Sequence, residues 1–361
     1  MRGLILNSGS SSIKFKILDM ESEKILEKGT IEELKGNRHK ELERIINSME
    51  RIDFIAHRVV HGGHTFKQAT IIDDAVIEAI DELSHLAPLH NPANLDGILT
   101  VKALAPNALQ IAVFDTAFHE DMPPSSYMYA MPQELYTKHN IRRYGFHGTS
   151  HNYLLKECAK LMNKDVNELN IITLHLGNGA SATAIKNGKS YDTSMGFTPL
   201  EGLVMGSRSG DFDPAILLYL LKLGFSEKEL DELVNQKSGL LGICGSSDVR
   251  EILGRDDKDA KLALKIMTQR VKKYIGSYIA ILGRVDAIVF SGGIGEHSYD
   301  IRKMILDGFD EAFDIYMDDE KNNSVNNHAT LISQEKSKIA LYVIPTDEEL
   351  EIAHQAYALL K

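Results

Sequence analysis

The sequence predicts an α/β fold in two related lobes. Short apolar strands alternate with helical segments along most of its 361 residues. The opening pattern, an apolar strand, a knot of Asn, Gly and Ser, then a second strand, returns in the second half of the chain. With 43% hydrophobic and 25% charged residues, an ordinary core is possible in each lobe, and the length suits about two domains.

The opening reads LILNSGSSSIKFKIL. Leu4–Leu6 read as a buried strand. Ile13, Phe15 and Ile17 alternate with Lys14 and Lys16, the period of a strand with one wet face. Residues 21–51 are charged and read as largely helical. DFIAHRVV (53–60) is a strand running into HGGH, residues 73–86 carry helical spacing, and LQIAVF (109–114) is a strand that delivers Asp115. The pattern then restarts with NIITLHL (170–176), GNGAS and ATAIKNGKS. A long helix covers 261–283, DAIVF (286–290) is a buried strand, and SGGIGE turns into another helix. SKIALYVIP (337–345) is a late strand. The terminal helix takes Thr346 or Asp347 as its N-cap. DDEKNNSVNNHAT (318–330) reads as a solvated surface loop.

A net charge of −11 argues against a nucleic-acid or anionic-membrane surface. No run reaches the roughly 18 apolar residues of a membrane span, and the start is too short an apolar run for a signal peptide. Two cysteines, Cys158 and Cys244, lie far apart without a CxxC. They point to a reducing, cytoplasmic compartment and no disulfide frame.

The chemistry-bearing motifs lie in loops at strand ends, and each has a plainer reading. NSGSSSIK holds Asn7, Ser10, Ser12 and Lys14, whose backbone could form an anion nest. It is no Walker loop, since no helix follows, and an ordinary hairpin is the alternative. HRVVHGG offers Arg58 as a fork for carboxylate or phosphate, or a surface arginine beside a turn. AVFDTAFH places Asp115 where a carboxylate binds Mg²⁺ or caps a turn. RRYGFHGTSH sets His147 before a helix starting at Thr149 or Ser150. HLGNG carries Asn178 in a turn, and TPLEGLVMGSRSGDFDP holds Arg208 between glycines. FSGGIGEHS and IPTDEE add a glycine turn and a run of three carboxylates. Two arginines, a histidine, two asparagines, an aspartate and a glutamate at strand ends suit phosphoryl transfer. They supply cations for developing charge, donors for oxygens and carboxylates for a metal.

Taken in order, NSGSSSIK, HRVVHGG, LAPLHNP, FDTAFH, RRYGFHGTSH, HLGNGAS, DTSMGFTPLEGLVMGSRSGDFDP, GGIGE and PTDEE resemble the acetate kinase family over nearly the whole chain. Propionate kinases are the nearest competitor. The resemblance implies the two-lobed fold of the superfamily of acetate and sugar kinases, heat-shock chaperones and actin, with the active-site cleft between the lobes. It implies an N-terminal lobe of residues 1–117 plus 347–361 and a nucleotide-binding, dimerising lobe of 118–346. The implied activity is reversible transfer of a phosphoryl group from ATP to acetate, giving ADP and acetyl phosphate, in a homodimer dependent on Mg²⁺ or Mn²⁺.

Acetate titrates near 4–5, about like a Glu side chain, so it is an anion at neutral pH and needs no general base. Repulsion between that anion and the phosphate is what the site must overcome. By resemblance, Arg58 and Arg208 counter it, His147 donates to a phosphoryl oxygen, and Asp115 positions metal or arginine rather than acting as a base. Asn7 and Glu348 are associated with the metal. Val60, Leu89, Phe146 and Pro199 surround the acetate methyl. Ser10, Ser12 and Lys14 meet phosphates, and His175, Gly177, Asn178, Gly179, Asp248, Gly292, Gly293 and Gly295 meet the nucleotide.

The chain departs from the family pattern in three ways. It is shorter, chiefly in 21–52, after residue 62 and near 320. It reads SGGIGEHS for TGGIGEN, which sets His297 beside the nucleotide turn. It reads PTDEE for PTNEE, and Asp347 is expected to tighten metal binding by adding charge beside Glu348.

Overall fold

Leu4, Ile5 and Leu6 are all fully buried, so the strand that carries them is covered on both faces. The computed structural model describes residues 1–9, 12–32, 38–49, 51–88 and 90–361. It divides into two units. One comprises Met1–Glu120, Phe146–Tyr153 and Asp347–Lys361; the other comprises Asp121–Gly145 and Leu154–Thr346. Phe146–Tyr153 thus belongs with the first unit, not with the second lobe as the 118–346 boundary had it.

The first unit is built on β1 (Arg2–Ser8), β2 (Ser12–Asp19), β3 (Lys24–Glu32), β4 (Phe54–Val59), β5 (Thr70–Ile71) and β6 (Gln110–Phe114), in the order β3-β2-β1-β4-β6-β5. β1, β2 and β3 form an antiparallel meander, while β1, β4 and β6 run parallel. On one face Leu4, Leu6, Ile13 and Phe15 meet Leu42, Ile45 and Val101. On the other, Ile5, Phe54, Ile111 and Val113 meet Ile352, Ala353 and Ala356 of the terminal helix Glu348–Leu359.

The second unit repeats this plan. Its strands are β7 (Ile171–Leu176), β8 (Ala180–Lys186), β9 (Lys189–Thr193), β10 (Ala287–Ser291), β11 (Thr330–Leu331) and β12 (Ala340–Val343). Read from the meander edge the order is β9-β8-β7-β10-β12-β11, again with an antiparallel meander and a parallel trio of β7, β10 and β12. The short edge strands β5 and β11 are antiparallel to their neighbours in both sheets. The repeat read in the strand–Asn/Gly/Ser–strand pattern therefore extends to the whole sheet. The helix Lys258–Leu282, longer than the expected 261–283 at its start, is capped by Asp257, whose side chain accepts from Ala260 N.

Two expectations are corrected. Residues 21–51 are not largely helical: β3 occupies Lys24–Glu32, and among the described residues of this stretch the helix is Arg38–Ser48. β3 is an edge strand with nearly every side chain exposed, so no alternation marks it. Residues 318–330 are not simply a surface loop. Asp318 caps a short helix, Asp319–Asn323, in which Asn322 is fully buried, and β11 follows. Among the described residues no helix is long and apolar enough to cross a membrane.

His57, His61 and His119 of the first unit are buried and neutral, and burial pushes His61 down to about 3. Burial pushes His57 down to about 4, opposed by its bond to Gln110 Oε1 at 2.8 Å. Burial likewise pushes His119 down to about 4. Between the ordinary value of 6.5 and about 4, the unfolded chain takes up protons that the folded one refuses. The stability present above pH 6.5 is therefore lost as pH falls toward 4. Thermal melts between these limits should show Tm dropping with pH, and His57→Gln should flatten the drop. An unchanged slope in that variant would exclude His57 as a source.

Candidate active site

The parallel register of the first sheet sets its chemistry. Leu6 pairs with His57, and Val59 with Phe114, so Asn7, Arg58 and Asp115 emerge at the carboxyl ends of adjacent strands. Open α/β sheets hold their ligands at such ends.

Arg58 Nη2 donates to Asp115 Oδ2 at 2.7 Å, and Nη1 reaches Asn7 Oδ1 at 3.4 Å. Arg58 Nε, which makes no hydrogen bond among the described residues, lies 3.9 Å from Glu348 Oε2. Burial works to raise the Asp115 carboxyl, but Arg58, His147 and Thr149 outweigh it and hold the group well below the carboxylate range. Burial opposes the charge of Arg58 as well; Asp115 and Glu348 overcome it, so the guanidinium stays charged. Glu348 has the reverse balance: burial pushes it up to about 7 against the pull of Arg58.

Asp115 has a second task. Its carboxylate accepts from His147 N at 2.9 Å, Thr149 N at 3.2 Å and Thr149 Oγ1 at 2.6 Å, and its carbonyl accepts from Gly148 N at 2.9 Å. The helix Gly148–Met162 begins here, so Asp115 satisfies its first free N–H groups and sits at the positive end of its dipole. His147 immediately before it has φ +58°, a left-handed conformation unusual outside glycine. Gly148 must be glycine, because a Cβ would overlap the Asp115 carbonyl oxygen. His119 completes the brace, with its Nε2 bonded to Phe146 O at 3.0 Å.

The remaining first-unit predictions fall around this centre. Lys14 lies opposite Asn7 across the hairpin and is exposed. Ser12 starts β2; Ser10 and Leu89 lie outside the described residues. Buried Val60 donates its N–H to Asn94 Oδ1, and buried Phe146 packs edge-on against His61 with centroids 5.6 Å apart. Asp347 is the N-cap of the terminal helix and also takes Lys16 Nζ at 2.6 and 2.7 Å. Its charge is matched by a buried lysine and does not add to that of Glu348, contrary to the expectation from PTDEE.

In the second unit, Gly177, Asn178, Asp248 and Gly293 line one open pocket of about 950 Å³, with Ser247, Tyr299 and His297 also on its wall. Gly292, at φ +75°, and Gly295 are buried behind it. His175 pairs with Ser181 and Ser291 across the sheet, and Gly179 O accepts from Gly177 N at 3.0 Å. Asp248 is held by Arg250 at 2.7 Å. Arg208 Nη1 donates to Pro199 O at 3.2 Å. Among the described residues no carboxylate pairs with Arg208, although burial works against its charge. Among the described residues its bonded partners are a carbonyl and the Met205 sulfur, both reached by Nη1, so donors of its fork remain unengaged.

A family model described as the acetokinase family matches residues 36–354. The chain belongs to the acetokinase family. It is 52% identical to the acetate kinase of Sulfurimonas denitrificans over 392 aligned positions, covering 100% of each chain. The alignment exceeds the 361 residues present, in keeping with a shortened family member. The solved acetate kinase of Porphyromonas gingivalis matches with a TM-score of 0.92 at 40% identity over 100% of both chains. A propionate kinase from Francisella tularensis subsp. tularensis matches with a TM-score of 0.91 at 41% identity over 98% of each.

Sequence reasoning gave no role to Thr149, His119 or Lys16. Thr149 was visible in GFHGTSH, but its bond to a carboxylate from another strand has no local signature. Asp115→Asn would turn an amide NH₂ toward groups that are themselves donors. Removing one member of a buried ion pair should cost about 3–5 kcal/mol, readable as a shift in urea unfolding. A change below about 1 kcal/mol would contradict the brace described above.

Proposed function

We propose that this chain transfers the γ-phosphoryl group of ATP to acetate, giving acetyl phosphate and ADP, and runs the reaction in both directions. The observation that carries the proposal is Arg208, a sheltered guanidinium without a carboxylate partner. The full-length similarity to proteins named acetate kinase supports acetate as acceptor.

The pocket lined by Gly177, Asn178, Asp248 and Gly293 takes the nucleotide, with Asn178 and the amides of the glycine turn toward its phosphates. Acetate arrives as an anion, with its methyl toward Val60, Phe146 and Pro199. Arg58 and Arg208 lower the repulsion between carboxylate and phosphate, and both fork geometries suit planar anions. His147, held in its left-handed turn, donates to a phosphoryl oxygen. Asp115 is no base: its oxygens already accept four donors, and its work is to hold Arg58 and present His147. Transfer is direct, from phosphate oxygen to acetate oxygen.

The donor set fits a divalent ion. Glu348 accepts no hydrogen bond among the described residues, which leaves its oxygens available to a cation, and the neighbouring Asp115 and Glu349 add negative charge there. The described residues hold no cluster of three or more His, Cys, Asp or Glu that would cage a metal alone. Mg²⁺ uses one or two carboxylates plus substrate phosphates. Glu348 and Asn7 would hold it, and it would supply positive charge to the phosphate oxygens.

The proposal includes a homodimer and a cytoplasmic setting. In the helix Ala215–Lys222 and the turn after it, Ile216, Leu218, Tyr219, Leu221, Leu223 and Phe225 are all exposed, up to 63%. A contiguous apolar surface of this kind marks an interface. Cys158 and Cys244 are free thiols, as a reducing compartment allows. Leu218→Lys with Tyr219→Lys should shift sedimentation from dimer to monomer; an unaltered dimer would exclude this helix from the interface.

Propionate is the second reading, favoured by the similarity to the Francisella propionate kinase. An apolar pocket separates one methylene by only about 1–3 kcal/mol, so propionate should be the poorer substrate, not an excluded one. Acyl-phosphate formation trapped with hydroxylamine gives kcat/KM for acetate, propionate and butyrate. Acetate should rank first; a higher value for propionate would reverse the assignment, and no product from any acid would end it. Arg208→Lys keeps charge without the fork and should lose about 10²-fold or more in kcat, the scale of one lost transition-state donor. Near-normal turnover would remove the role given to Arg208.

A further inference from the structure

We propose that Arg302 is a positioning residue for the nucleotide pocket, binding three of its wall segments into one unit through the backbone of Gly295 and Glu296 and through Asn322. The inference rests on reading that pocket as the nucleotide seat.

Arg302 is among the largest fully buried side chains of the protein, at 1% exposure. Its Nε donates to Asn322 Oδ1 at 2.6 Å and its Nη2 to Asn322 O at 2.8 Å. Its Nη1 donates to Gly295 O at 2.8 Å and Glu296 O at 3.0 Å. All four acceptors are neutral, and among the described residues no carboxylate forms an ion pair with this guanidinium. Burial alone pulls its pKa down to about 10, so it stays charged at neutral pH. A buried cation is costly where packing is the only need, because an apolar side chain fills the same space without desolvation.

What the charge holds explains its presence. Gly295 and Glu296 lie in the short helix Gly292–His297, whose final carbonyls have no partner further along the helix. Gly293, Ile294 and His297 of that helix line the pocket. Arg302 itself belongs to the helix Tyr299–Leu306, whose Tyr299 and Asp300 line the pocket too. Asn322 stands next to Asn323, another lining residue, and its Nδ2 closes the ring by donating to Tyr299 O at 3.3 Å. The other end of the glycine turn is held separately. Glu296 Oε1 accepts from Gly292 N at 2.9 Å, Ser291 Oγ at 3.2 Å and Thr346 N at 3.1 Å. The turn is thus fixed at one end by a carboxylate and at the other by Arg302. The 318–330 stretch, polar enough to read as solvent-facing, is drawn inward because Asn322 supplies two of the four acceptors.

The test is ADP binding by calorimetry with Mg²⁺, alongside KM for ATP and for acetate, in the full-length chain. Asn322→Leu removes the Oδ1 acceptor at similar volume. It should weaken ADP by about tenfold, the size of one lost hydrogen bond to a charged group. KM for acetate should stay within roughly twofold, as for a distant independent site. Asn322→Asp restores an oxygen to Arg302 Nε and should return ADP affinity close to that of the parent. Arg302→Lys keeps the charge but cannot span both sets of carbonyls, and should resemble Asn322→Leu. If Arg302→Lys does not fold, the two Asn322 variants decide. ADP affinity unchanged in Asn322→Leu, even with a lowered Tm, would overturn the inference. So would equal losses for ATP and acetate. A parent chain that binds no ADP would overturn the nucleotide reading beneath it.

Discussion

The ion pair between Arg58 and Asp115 is the constraint on which the rest of the first unit's chemistry depends. Neither charge would be stable at that depth alone. Arg58 keeps Asp115 ionised, and the ionised carboxylate supplies enough acceptors for a helix N-terminus and for the strained residue in front of it. His147 adopts φ +58° because Asp115, Gly148 and His119 leave its segment no other course. Strain of this kind persists only where the surroundings over-determine it. The same pair fixes the guanidinium whose remaining N–H groups face Asn7 and Glu348.

The two sheets share one plan, and the plan determines where chemistry can sit. In each, three parallel strands end at the same edge, and loops after those ends carry the polar groups. β1 leads into Asn7 and β7 into Gly177 and Asn178; β4 delivers Arg58 and β10 the glycine turn; β6 delivers Asp115 and β12 leads to Thr346. The two units nevertheless use opposite means. The first concentrates charge and satisfies it with charge. The second offers backbone amides, a glycine turn and an arginine whose bonded partners are neutral.

Much of this was legible in the residues. The alternation of Ile13, Phe15 and Ile17 marked β2, the apolar run at Leu4–Leu6 marked a strand covered on both faces, and the recurrence of the Asn/Gly/Ser knot marked the second sheet. The candidate residues stood out because glycine-flanked charged residues gather at strand ends, although each motif alone also had a plainer reading. What escaped was whatever depends on partners distant in sequence. β3 carries no period because it is an exposed edge. Asn322 looked like part of a polar loop because nothing near it announces a buried arginine, although Arg302 does interrupt the apolar stripe of Ile301, Ile305 and Leu306. Asp347 looked like surplus negative charge until the fold brought Lys16, far away in the chain, against it.

The central claim is that charge placement, without a covalent enzyme intermediate, accounts for the reaction. Asp115 is saturated as an acceptor and Glu348 is assigned to the metal, so neither is free to carry a phosphoryl group. The stereochemistry at phosphorus tests this most directly. With ATP made chiral at the γ-phosphorus by oxygen isotopes, and acetate as acceptor, a single direct transfer predicts inversion in the acetyl phosphate formed. Retention would mean two successive transfers through a phosphorylated side chain, and would contradict the account.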